Sequence, residues 1–450
     1  MKFMKERNPW AWIPTLYFAE GIPYVMVMVI AEIMYKRLGM SNADAALYTS
    51  WLYLPWVIKP IWSPLVDLFH TKRWWIVIMQ FFAGAGLAGV AFTIEAPNSV
   101  QWTLAFFWLV AFSSATHDIA ADGFYMLALD TYKQSLFVGI RSTFYRVANI
   151  VGQGITLMVA GNLESFYRDV PKAWTMTMTC VAVGFLVFAV YHFFVLPKPL
   201  ADHSTMGSSE EALDGPSSGQ WGRALVILKD FCKTFKTFFQ KPGVGIAIAF
   251  MLLYRFPEAF LSKINPLFLV DPVGKGGLGL TTAEIGFANG TLGLIGLTLG
   301  GIVGGLITTR GGLKKWMWPM VWSISVPDLV YVYLSLAQPD SMLIISGCIF
   351  VEQLGYGFGF TAYMLYMLYF SQGESETSHY AICTAFMAAS MMIPGMFAGI
   401  LQEAVGYPTF FIIVVFCCLL TVAVARMVKI DPSFGIKKPT SQTSQEGNQK

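Results

Sequence analysis

The sequence predicts an all-α membrane protein of twelve transmembrane helices arranged as two pseudo-symmetric six-helix halves. Three observations predict it. The composition is too apolar for water, the apolar runs are long enough to cross a bilayer, and the second half repeats features of the first.

Of the 450 residues, 55% are hydrophobic and only 13% are charged, and the mean hydropathy is +0.56. A water-soluble domain carries about 25% charged residues, so this chain lacks the polar surface to face water on all sides. In hydrocarbon only helices and closed barrels satisfy every backbone group, and a helix needs roughly 20 apolar residues to cross. The apolar runs are long and do not alternate, which selects helices. They fall near 10–34, 45–66, 74–95, 102–127, 137–160, 173–196, 243–269, 282–308, 316–337, 342–370, 379–403 and 408–428. The first run follows Lys2, Lys5 and Arg7 but exceeds a signal-peptide core and lacks a small-residue cleavage site, so it reads as a retained span.

Lys and Arg on alternate sides are unequal. With a cytoplasmic N-terminus, roughly 20 of them fall on that side and about 5 on the other, a positive-inside bias that places both termini and the middle loop in the cytoplasm. The formal net charge of +3 is scattered over short loops and gives no nucleic-acid footprint. The six cysteines show no metal spacing and are expected as small hydrophobes, and neither a metal nor a cofactor is expected.

The stretch 197–242 divides the chain. It holds a polar Gly- and Ser-containing linker and then an amphipathic helix over 221–240. This sets an N-terminal bundle at 1–196, a C-terminal bundle at 243–430 and a disordered cytoplasmic tail at 431–450. Glu20 and Glu258 are 238 positions apart, Tyr125-Met-Leu matches Tyr363-Met-Leu at the same offset, and Lys72-Arg73-Trp74 matches Lys314-Lys315-Trp316 with a small slip. Three matches in register argue for duplication. Two six-helix halves about an axis along the membrane normal is the arrangement of the major facilitator transporters, in which spans one, four, seven and ten line a central cavity.

The intramembrane acids agree with it. Glu20 and Glu32 lie in span one, Asp118 and Asp122 in span four, Glu258 in span seven and Glu352 in span ten; Asp328 in span nine breaks the pattern. A charge in hydrocarbon costs several kcal/mol unless it faces a wet cavity or a partner, so all four inner spans are expected to present their carboxylates to one chamber.

The segments Tyr17-Phe-Ala-Glu-Gly-Ile-Pro-Tyr24, Lys59-Pro-Ile-Trp-Ser-Pro-Leu-Val-Asp67 and His117-Asp-Ile-Ala-Ala-Asp-Gly123 resemble the AmpG-like muropeptide permease and acetyl-coenzyme A transporter branch of the major facilitators. The resemblance covers most of the first half. It implies a proton-coupled importer of a small, anionic saccharide or muropeptide-like solute in a bacterial inner membrane. The alternative is a proton-coupled exporter of amphiphilic metabolites or drugs. A monomer is expected, partnered by solute, protons and the bilayer, with no nucleic acid.

Asp118 and Asp122 are four apart and share a helix face. Counted from Lys133, Arg146 lies about 13 residues into span five, and Asp122 and Asp118 lie about 11 and 15 back, so the three should meet at one depth. They are read as a proton-coupling pair that alternates with Arg146; a permanent ion pair between the spans is the alternative. Glu20 beside Pro23, and Glu258 after Arg255 and Pro257, are further proton-coupling candidates, with Arg255 binding a carboxylate or phosphate. Charge neutralisation across the cavity is the competing reading. His117, Tyr17, Tyr24, Tyr125, Tyr363 and Glu352 are expected on the cavity wall as hydrogen-bonding or sugar-stacking residues. Asp67, Lys72 and Arg73 are read as a gating latch. A membrane enzyme would need a nucleophile or metal set, and no His-Glu-x-x-His, Gly-x-Ser-x-Gly or cysteine cluster is present. A channel would not explain the duplicated acids.

Overall fold

A computed structural model describes residues 7–129, 131–199, 202, 229, 232–373 and 376–435. Among the described residues, nine helical segments are long and apolar enough to span a membrane. One of these, Thr282–Ala337, would be about 84 Å long if straight, far beyond a hydrocarbon core of about 30 Å. It divides at Gly312, whose φ of 76° is open to glycine without steric penalty. Two interrupted helices complete the twelve.

In chain order these are α1 (Pro9–Arg37), α2 (Asn42–Trp51 and Leu54–Leu68), α3 (Lys72–Thr93), α4 (Ser99–Ala128), α5 (131–167), α6 (Val170–Val195), α7 (Val244–Val270), α8 (282–311), α9 (313–337), α10 (Met342–Ser371), α11 (Glu376–Val405) and α12 (Tyr407–Met427). Among the described residues no strand occurs.

Side-chain caps define several starts. Ser41 accepts from the Asp44 amide before α2, Thr71 from Trp74 before α3 and Asp169 from Lys172 before α6, while Thr281 and Glu284 form a capping box at α8. Prolines explain the interruptions. α2 breaks at Leu52 and Tyr53 ahead of Pro55, α7 at Tyr254 and Arg255 ahead of Pro257, and α9 between Ser325 and Leu329 at Pro327. The expected amphipathic helix over 221–240 falls largely outside the described residues; 232–239 is helical, with Phe238 packed on Phe370 and Phe386. The linker around 203–228 and residues 436–450 also lie outside them.

Within the first six helices α3 packs on α4 and α6, and α1 on α5; within the last six α8 packs most extensively on α10, and α7 on α11 and α12. Two seams join the sets, α2 against α11 and α5 against α8. Glycines allow both close approaches. A Cβ on Gly399 would lie 2.3 Å from the Asn42 carbonyl oxygen, one on Gly161 2.3 Å from the Ala283 nitrogen, and one on Gly290 2.7 Å from Gly154. The Gly154 and Gly290 contact joins two π-helical turns, Val151–Ile155 and Ala288–Gly293.

Candidate functional site

Between these seams lies a cavity of about 700 Å³, within the range of about 300–1,000 Å³ common for small-molecule sites. Its wall draws on α1 (Tyr17, Glu20, Tyr24), α2 (Tyr53, Trp56, Lys59), α4 (Asp118, Asp122), α5 (Arg141, Tyr145), α7 (Arg255) and α11 (Tyr380, Thr384, Met391). It reaches Lys72, Met126 and Ser378, which stand at the start of α3, the end of α4 and the start of α11. The cavity therefore extends toward the end of the bundle where α1 begins and α12 ends.

The opposite end is sealed. Lys36 pairs with Asp271 at 2.6 Å; Tyr407 donates to Asp271 at 2.5 Å; and Asn42 donates to Asp271 and Gln402. Glu164 accepts from Arg37 at 2.7 Å and from Thr282 and Trp174 at 2.8 Å. Deeper, Lys263 of α7 donates to Thr49 of α2 at 2.9 Å and lies 3.5 Å from Glu32 of α1. Most of these contacts join the first six helices to the last six.

Acids and bases alternate on the first-half wall. Lys59 pairs with Asp118, and Arg141 donates to Asp122 at 2.6 Å. Tyr17 and Tyr125 hold the Arg141 guanidinium over their rings at 4.6 and 5.0 Å. Glu20 interacts with both aspartates, and its Oε2 has no hydrogen-bond partner.

The expected pairing with Arg146 does not form. Arg146 instead donates to the Thr298 carbonyl of α8 at 3.3 Å. α4 ends at Ala128 and α5 begins at Thr131, so the turn centres on residue 130 rather than Lys133. From there Arg141 lies about 11 residues forward, level with Asp118 and Asp122, and Arg146 is about five residues deeper and turned some 140° away.

His117 is buried behind the wall. Gln80 of α3 sits between two imidazoles, its amide group 3.0 Å from His117 Nε2 and its oxygen 2.9 Å from His192 Nδ1 of α6. Lys72 folds over Gly123, and the Lys72 and Arg73 amides donate to Asp202 at 2.6 and 3.0 Å. Arg73 also donates to the Phe193 and Leu196 carbonyls, which fastens the start of α3 to the end of α6. The Asp67 side chain lies outside the described residues.

On the second-half wall Arg255 donates to the Tyr356 hydroxyl and lies against Phe360, Tyr356 and Tyr363 at 4.6, 5.6 and 5.6 Å. Its Nε has no partner. Tyr363 donates to the Met251 carbonyl. Glu258 and Glu352 are absent from the cavity lining, so the acids do not all face one chamber. They group instead with Asp328, the carboxylate oxygens of all three lying within 4.8 Å of one another. From sequence, Asp328 beside Pro327 reads as a kink-associated packing residue, and nothing in the sequence places it with Glu258 and Glu352. Lys59, which the sequence reads as snorkelling or pairing with a nearby acid, pairs with Asp118 from α2, while Arg141, one helix on from Asp122, stands outside the expected site.

The family model described as Major Facilitator Superfamily matches residues 15–374. The anhydromuropeptide permease of Escherichia coli (strain K12) is 24% identical over 410 residues, covering 88% of this chain and 75% of that protein. Among solved structures, a D-xylose-proton symporter superposes with a TM-score of 0.68 at 11% identity, covering 95% of this chain and 99% of the symporter. A POT family transporter in complex with 5-aminolevulinic acid gives 0.69 at 10% identity, covering 94% and 97%.

Proposed function

The chain belongs to the major facilitator superfamily of secondary transporters, and from that premise we propose that it imports an anionic saccharide or muropeptide-like solute together with protons. One observation carries the reading: a single cavity, closed at one end, faces the Asp118–Lys59 and Asp122–Arg141 pairs on one wall and Arg255 on the other. A neutral sugar would need no such concentration of bases, and an amphiphilic cation would be repelled by them.

Coupling follows from the pairing. A proton taken up by Asp118 or Asp122 dissolves its ion pair and frees Lys59 or Arg141 to hold a carboxylate or phosphate of the solute. Glu20, between them and without a partner at Oε2, takes or passes on the proton. Loss of the solute leaves a buried base uncompensated, and the carboxylate must then be ionised again before the site is stable. Tyr17, Tyr24 and Trp56 offer ring faces and hydroxyls to a sugar. With both termini in the cytoplasm of a bacterial inner membrane, as the Lys and Arg bias indicates, the cavity opens inward and the Lys36–Asp271 end is the closed outer gate. The two six-helix halves rock about it as a monomer. The 24% identity to a permease named for anhydromuropeptides supports the solute class.

Uptake into proteoliposomes under an imposed inward pH gradient, compared across anhydro-muropeptides, neutral disaccharides and cationic amphiphiles, tests this. Accumulation of the anionic saccharide alone, abolished by a protonophore, is expected. Accumulation indifferent to the gradient, or preference for the cations, would refute it.

A further inference from the structure

Glu258, Asp328 and Glu352 lie outside the cavity and need a separate account. Each is more than nine-tenths buried, and each leaves one carboxylate oxygen without a hydrogen-bond partner: Glu258 Oε2, Asp328 Oδ1 and Glu352 Oε1. The other oxygens of two of them are engaged. Glu352 Oε2 accepts from Tyr331 at 3.2 Å and from Gln353 at 2.9 Å, and Asp328 Oδ2 accepts from the Cys418 thiol at 3.4 Å. None of the three forms an ion pair among the described residues. The charged side chain nearest in the chain, Arg255, is turned to Tyr356 and the cavity. Close by on α9, the Ser325 hydroxyl is also buried without a partner.

Two of the acids stand where a helix resumes after a proline break: Glu258 in the first turn of Phe256–Val270, and Asp328 at the N-cap position of Leu329–Ala337 with no side-chain cap hydrogen bond. Three dry carboxylates cannot carry their charge without compensation. The donors are oxygens, which suits a hard cation. One oxygen from each residue lies within 4.8 Å of the others, close enough for one ion to touch all three, and a dry site disfavours magnesium, which gives up its waters reluctantly.

We propose that Glu258, Asp328 and Glu352 form a buried binding site in the second half for one hard metal cation of sodium or calcium size. The proposal stands on the geometry of α7, α9 and α10 and is independent of the uptake reading. Bound there, the cation ties together three helices, two of them at their breaks, and so couples its occupancy to how the second half bends.

The test uses the full-length protein purified in detergent, without solute. Thermal unfolding is followed while sodium or calcium chloride is titrated at constant ionic strength against N-methylglucamine chloride. A saturable rise in Tm with sodium or with calcium is expected, identifying which of the two is held. Glu352→Gln and Asp328→Asn should each weaken the apparent affinity about tenfold or more. Asp118→Asn in the cavity should leave the shift unchanged. No saturable shift with either cation, an equal shift in the Glu352→Gln and Asp328→Asn proteins, or loss of the shift in Asp118→Asn would each overturn the proposal. Should the second-half variants not fold, calorimetric titration of the wild-type protein with both cations decides it, and the absence of saturable heat overturns it.

Discussion

Both halves bury acids near mid-membrane, but they compensate them differently. In the first half every aspartate on the cavity wall has its own base, Lys59 for Asp118 and Arg141 for Asp122, and the pairs border open space. In the second half three acids gather away from the cavity, Glu352 hydrogen-bonded to a phenol and an amide and Asp328 to a thiol, with no ion pair among the described residues. A paired wet site can exchange partners at small cost, because water and a solute replace what is lost. A dry site of like charge has to be neutralised by a proton or a bound cation. On the two proposals above, the first half switches and the second holds.

Asp118→Asn breaks the comparison most severely. It removes a proton acceptor and leaves Lys59 in the cavity without its counter-charge, so pH-driven uptake should fall about 100-fold or more, the size of effect for a lost proton-transfer group. Folded protein should still be recovered by size-exclusion chromatography. Near-normal accumulation in the variant would remove Asp118 from the coupling machinery.

Arg255→Gln acts on the opposite wall. It leaves the aspartates paired but removes the guanidinium that lines the opposite wall. The apparent KM should rise about 10- to 100-fold while the pH optimum stays in place, since a charge-assisted hydrogen bond to the solute is lost and the cavity aspartates keep their own bases. A moved optimum would mean that Arg255 takes part in the proton step.

Glu352→Gln sharpens the second half of the comparison through its sign. Without added metal, removing one of three clustered acids should leave stability unchanged or raise it, whereas a charge-balanced site would lose stability on the same change. Thermal unfolding in N-methylglucamine buffer reads that sign directly.

Much of the fold was legible because lipid imposes it. The twelve apolar runs correspond to α1–α12, displaced by a few residues where Ser41 and Thr71 cap helices earlier than hydropathy alone marks. The cavity was half legible. The acids Glu20, Asp118 and Asp122 stood out as charges among apolar residues, and Tyr17, Tyr24 and Arg255 do line the space with them. Their partners were not legible, because pairing across helices depends on the rotation of each helix and on where a turn is centred. A shift of about three residues in the α4–α5 turn exchanged Arg146 for Arg141. Asp328 reads from sequence as a packing residue at the Pro327 kink, because a kink in the sequence does not tell which neighbouring helices its side chain will meet.

The smallest effect is expected at the sealed end, where Asp271 joins Lys36, Asn42 and Tyr407. Burial alone would raise its carboxyl, but hydrogen bonds from Lys36, Tyr407 and Asn42 outweigh this and hold it below the ordinary value of 3.8. A carboxyl lowered in the closed form contributes its stabilisation above the ordinary value and loses it only as pH falls through the lowered one. Between about pH 5 and pH 8 this end should therefore be insensitive to protons. Spin labels placed near the end of α1 and the start of α8 should report one closed distance across that range, with Lys36→Ala shifting the population toward the open form only about two- to fivefold, because Tyr407 and Asn42 still donate to Asp271. A distance change with a midpoint above pH 5 in the wild-type protein would place a proton-sensitive group at the gate itself. The separation between a switching cavity and a passive closure would then fail.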